Sequence, residues 1–141
     1  MKARIFHQTI LDSNNHSAFL MWFHLVFVTK YRRKVISDMV SMRLKGIFVS
    51  IANGYNISLQ EWNHEPDHVH ILIRGHPNSN LSKFVNAYKS ASSRLVKKEF
   101  PEIRNTLWKE YFWSQSFCLL TSGGAPIEII REYIRTQGAE K

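Results

Sequence analysis

Two histidines, His68 and His70, flank Val69 in the stretch EPDHVHILIRG at residues 65–75. Side chains alternate across a strand, so the two imidazoles share one face, roughly 6–7 Å apart along it. Val69, Ile71 and Ile73 share the other face, which reads as core. Paired imidazoles on a sheet face can be a solvated pair, a stacking patch or two ligands of a metal ion. A second set of reactive groups lies near the C-terminus, in APIEIIREYIRTQ. Tyr133 and Gln137 are four apart and share one side of a helix, beside an apolar stripe of Ile127, Ile130 and Ile134. If that helix crosses the open face of the sheet, it delivers a phenol and an amide oxygen towards the imidazoles. The plainer alternatives are a packed Tyr133 with a wet hydroxyl and a surface Gln137. A phenol ionises near pH 10, so attack at neutral pH needs a base or a cation beside it.

The elements that must position these groups follow from the pattern of apolar residues and breaks. Residues 1–17 are polar, with DSNNHS of loop composition, and predict a flexible N-terminal arm. Ala18 to about Val28 reads as a first strand. Ser37-Asp38 offers an N-cap to a helix that Asn53-Gly54 stops. Ile57 to about Asn63 and the histidine run form a hairpin around Glu65-Pro66-Asp67. Leu81, Phe84, Val85, Tyr88, Ala91, Leu95 and Val96 trace a second helix that ends near Phe100-Pro101. IRNTLWKEYFW predicts a short helix running into a fourth strand, Phe112 to about Leu120. The order β-α-β-β-α-β-α predicts an α+β fold: a ferredoxin-like, RRM-like antiparallel sheet with two helices on one face, then a C-terminal helix. Residues 18–141 form one domain on this reading.

Composition narrows the partners. Hydrophobic residues make up 44% of the chain and charged ones 21%, as in ordinary globular proteins. No apolar run reaches membrane-spanning length, and the N-terminus lacks a secretory pattern, which predicts a cytoplasmic protein. The single Cys118 excludes an internal disulfide and, among Phe117, Leu119 and Leu120, reads as a small buried hydrophobe. Lys plus Arg number 19 against 11 acids, for a net charge of +8. That balance favours phosphate-bearing partners. Lys30-Tyr31-Arg32-Arg33-Lys34, at a strand's end with a tyrosine among the cations, suits a nucleic-acid backbone.

Taken in order, EPDHVHILI, KFVNAYKSASSRLVKK, LWKEYFWSQSFCLLT and EYIRTQ resemble the single-tyrosine HUH transposases. His68-Val69-His70 fits their His-hydrophobic-His motif. More narrowly they resemble the TnpA enzymes of the insertion-sequence group IS two-hundred/six-hundred-five, and the likeness covers about Ala18 to Gln137. The resemblance implies that Tyr133 attacks a DNA phosphodiester, joins the 5′ side of the break and leaves a free 3′ hydroxyl. It also implies that His68, His70 and Gln137 hold one divalent cation, Mg²⁺ or Mn²⁺. Relatives act on single-stranded DNA hairpins at transposon ends, so Lys30, Arg32, Arg33, Lys34, Lys89 and Arg94 become candidates for gripping hairpin phosphates. Relatives are homodimers whose tyrosine helix can complete the partner's site, and Ser122-Gly123-Gly124-Ala125 would suit a hinge. Where relatives often carry methionine before Pro66, this chain has Glu65, an extra carboxylate near the histidines.

Three other functions compete. A domesticated, repeat-associated relative would cleave palindromic DNA without serving a mobile element. A non-catalytic nucleic-acid module would place aromatics, not histidines, on the central strands. A zinc-stabilised structural domain is disfavoured by the absence of a cysteine cluster.

Overall fold

The computed structural model describes residues 2–6, 9–14, 17–19, 21–76, 79–121 and 127–137. The N-terminal residues depart from the loop expected of them. They form a three-stranded antiparallel sheet of β1 (Lys2–Phe6), β2 (Thr9–Asn14) and β3 (Ser17–Phe19). A polar segment gains ladder hydrogen bonds from its neighbour in the chain, a pairwise property that composition hides. The expected first strand is accordingly divided: residues 17–19 belong to this sheet, and β4 (Trp22–Val28) to the main one.

The main sheet adds β5 (Ser58–Glu65), β6 (His68–Arg74) and β7 (Cys118–Thr121), in the spatial order β5-β6-β4-β7 with every pair antiparallel. Helix α1 (Asp38–Ala52) begins at Ser37, whose hydroxyl accepts the Val40 amide at 3.1 Å. Helix α2 (Leu81–Glu99) begins at Asn80, whose side chain accepts the Lys83 amide at 3.0 Å. It stops before Pro101.

Both helices cover one face of the sheet. Leu25, Phe27, Val69, Ile71 and Ile73 are fully buried there with Leu44 and Phe48 of α1 and Phe84, Val85 and Tyr88 of α2. Tyr88 ties α2 to α1 by donating its hydroxyl to the Leu44 carbonyl at 3.0 Å. The expected βαββαβ architecture is therefore present, with two local corrections. The segment before β7 contains two short 3₁₀ turns, Pro101–Asn105 and Trp108–Glu110, rather than an α-helix. The last strand starts at Cys118 rather than Phe112, because residues 112–114 instead follow the end of β4. Their backbone bonds run from Lys30 N–H to Phe112 O and from Ser114 N–H to Val28 O.

Helix α3 (Ile127–Gln137) lies on the opposite face. Tyr133 and Ile134 pack with Cys118 and Leu120 against the fully buried Val26 and Val28. Burial of a whole Ile side chain is worth about 1.5–3 kcal/mol, so this half-buried pair holds α3 with modest strength. The expected hinge, residues 122–125, lies outside the described residues.

Candidate active site

Strand register places the histidines. His70 pairs with Val26 and His68 with Val28 across β4 and β6, and residues directly opposite share a face. The imidazoles therefore occupy the face on which α3 packs, within the same chain. Across β5, Glu65 pairs with His68, which puts the extra carboxylate on that face too.

Each histidine is oriented by a neighbour. The His68 ring Nδ1 lies 2.9 Å from Asp67 Oδ1, and Arg32 Nε donates to Asp67 Oδ2 at 2.9 Å. Burial pushes the Asp67 carboxyl up, but the bonds from His68 and Arg32 outweigh it and hold the group below its usual range. A carboxylate bound at Nδ1 leaves the outer nitrogen of His68 as the lone-pair donor. His70 meets a third imidazole: its Nε2 lies 3.1 Å from His24 Nδ1, with ring centroids 5.2 Å apart. Burial, then the charges of His24 and His68, lower the His70 pKa and favour the neutral, ligating form.

The groups on α3 are held by two serines from the segment before β7. Ser116 Oγ lies 2.9 Å from the Tyr133 hydroxyl and donates to Gln137 Oε1 at 3.3 Å. Ser114 also donates its hydroxyl to Gln137 Oε1. The carbonyls of both serines accept Lys89 Nζ, at 2.7 and 2.9 Å. Lys89 thus clamps the serine segment to α2, a structural task that its expected place among DNA-gripping cations did not foresee.

The other expected cations separate by position. Arg33, Lys34 and Arg94 are exposed. Lys30 is only 6% exposed, with Nζ 5.3 Å from the Tyr31 ring centroid. Arg32 is committed to Asp67. His24, Asp67, Ser114 and Ser116 were not singled out from sequence. Alternation along β4 puts His24 on the Val26 face, but which strand it meets depends on pairing over 46 residues. Cys118 behaves as expected: it is partly buried in the small apolar cluster under α3, and burial raises its thiol pKa.

The donor set suits a divalent cation: two imidazoles on one strand face, and an amide oxygen on a helix packed over that face. Gln137 Oε1 already accepts hydrogen bonds, which shows that it points at polar partners rather than solvent alone.

A family model described as "Transposase IS200 like" matches residues 17–137. The chain is 35% identical over 117 residues to the ISDra2 transposase TnpA of Deinococcus radiodurans, covering 82% of each sequence. It is 25% identical over 122 residues to the transposase for insertion sequence element IS200 of Salmonella typhimurium, covering 86% of this chain and 80% of that one. A crystal structure of a candidate transposase from Deinococcus radiodurans R1 superposes with a TM-score of 0.81 at 32% identity, over 89% of this chain and 97% of the other.

Proposed function

The chain belongs to the IS200-like transposase family, and from that premise we propose that it cleaves and rejoins single-stranded DNA at hairpin-bearing element ends through a covalent 5′-phosphotyrosine. The observation that supports this most directly is the shared face. Tyr133 and Ile134 pack on Val26 and Val28, whose register partners are His70 and His68.

Tyr133 is the nucleophile in this reading. Its oxygen bonds to phosphorus as its proton leaves, the P–O3′ bond breaks, and the 3′ oxygen departs as a hydroxyl. Ser116 holds the phenol in position. His68, His70 and Gln137 would hold a divalent cation, Mg²⁺ or Mn²⁺. Such an ion would offset the charge that accumulates on the non-bridging phosphate oxygens. Gln137 lies one turn from Tyr133, so movement of α3 carries nucleophile and ligand together. The ester conserves the energy of the broken bond, and a 3′ hydroxyl attacking it restores a phosphodiester without ATP. Because α3 packs on its own sheet, one chain brings both groups to one face; a homodimer that exchanges helices belongs to the same proposal.

The test is incubation with single-stranded DNA from the gene's flanks and Mg²⁺ or Mn²⁺. A covalent adduct forms, is lost in Tyr133→Phe, and falls sharply in His68→Ala, His70→Ala or with a chelator. An undiminished adduct in Tyr133→Phe overturns the assignment.

A further inference from the structure

Two clefts meet at Tyr111. The larger, about 560 Å³, lies between α2 and residues 111–115, with Arg94, Lys97 and Arg104 along it. The smaller, about 240 Å³, is lined by Lys30, Trp108 and Lys109. Tyr111, Trp113 and Gln115 line both, so they form the ridge between them. Tyr111 is 57% exposed, a large aromatic area for a surface residue.

The ring is backed rather than loose. It stacks on Trp108 with centroids 5.9 Å apart and planes 23° from parallel, and Trp108 meets Tyr31 edge-on at 5.2 Å. The two turns that carry these aromatics are unusual. Tyr31 (φ 56°) and Arg32 (φ 54°) are left-handed in one, Lys109 (φ 49°) and Glu110 (φ 62°) in the other. No glycine relieves the strain at these positions, and such backbone persists only where its surroundings enforce it. Lys97 Nζ donates to the Glu110 carbonyl at 2.9 Å, and Arg104 Nε lies 3.6 Å from the Glu110 carboxylate. Both cations therefore brace the turn, and each retains further N–H donors. From Tyr111 the chain leads directly to Ser114 and Ser116, the serines that hold Gln137 and Tyr133.

We propose that Tyr111, backed by Trp108, is a stacking platform for an unpaired base of single-stranded DNA. Arg94, Lys97 and Arg104 take the backbone phosphates beside it, and the strand follows residues 111–116 towards Tyr133. Charge complementarity selects this occupant: the cleft presents three cations to an anionic chain, and a free aromatic surface suits a base. The proposal rests on the DNA-cleaving reading above and adds to it where the strand lies and what holds it.

The test uses the full chain carrying Tyr133→Phe, so that binding is read without cleavage. The probes are a labelled short oligothymidylate and an abasic oligonucleotide of equal length. Tyr111→Ala weakens oligothymidylate binding about tenfold, within the five- to hundredfold range expected for one stacked base, and leaves the abasic probe unchanged. Tyr111→Phe restores the affinity, because stacking needs the ring and not the hydroxyl. Arg94→Ala weakens both probes and lowers the salt slope by about one. Unaltered oligothymidylate binding by a folded Tyr111→Ala variant, or equal losses on both probes, overturns the platform. If the wild-type chain still forms its Tyr133 adduct in that case, the platform alone has failed. If no adduct forms, the reading beneath it has failed.

Discussion

The hydroxyls of Tyr133 and Ser116 lie 2.9 Å apart, linking the last helix to a segment that α2 holds through Lys89. A tyrosine that must meet a phosphate in line gains from a fixed torsion about its ring. Ser116→Ala removes that contact at an exposed site, so stability changes little. A single hydrogen bond is worth about 0.5–1.5 kcal/mol, so single-turnover adduct formation should slow roughly two- to tenfold. An unchanged rate would show that Ser116 does not position the phenol.

Asp67 is buried and bonded to both His68 and Arg32. Asp67→Asn should weaken Mn²⁺ binding by about 10- to 100-fold, as expected for loss of a carboxylate that orients a ligating imidazole. Titration calorimetry on the Tyr133→Phe protein reads this without turnover. Arg32→Gln should have a smaller effect, since Arg32 touches the carboxylate and not the imidazole.

Tyr88 separates a buried phenol from a reactive one. It is fully buried, burial raises its pKa strongly, and its hydroxyl is spent on Leu44. Tyr88→Phe should leave the adduct intact and cost about 0.5–1.5 kcal/mol of stability, the worth of one hydrogen bond, because the Leu44 carbonyl lies within α1 and keeps its helical partner. Denaturant unfolding and adduct yield together check this.

Ile134 anchors α3 beside Tyr133. Ile134→Glu puts a carboxylate against Val26 and Val28 and should undock the helix. Amide exchange should then accelerate across residues 131–137 while β4 and β6 stay protected, and adduct formation should fall at least about tenfold. Retained activity with an undocked helix would point to a partner subunit supplying the tyrosine.

Arg43 and Glu99 tie α1 to α2 through a two-point contact of 2.8 and 3.1 Å. The hydrogen bond from Arg43 holds the Glu99 carboxyl below its ordinary value near 4.5. A group depressed in the folded state stabilises above its unfolded pKa, and that gain is lost as pH falls through the folded value. The Tm difference between wild type and Glu99→Gln should therefore be present at pH 7 and close below about pH 4.5. The pair is exposed, so salt should shrink the difference.

The sequence by itself determined the elements whose signals are local. Alternation put Val69, Ile71 and Ile73 on one face and His68 and His70 on the other, and register confirms that division. Ser37 announced the first helix start through a side chain that satisfies a nearby amide, and apolar spacing from Leu81 traced the second helix, whose Asn80 cap the structure added. Spacing of four set Tyr133 beside Gln137. Only tertiary structure decided which surface receives α3, because Val26 and Val28 become its seat through strand pairing across 40 residues or more. The partnerships of His24 with His70, Arg32 with Asp67 and Lys89 with the serine carbonyls arose in the same way. The N-terminal sheet, read as an arm, and the late start of β7 share a cause. Ladder bonds belong to pairs of segments, and no single segment carries a record of its partner.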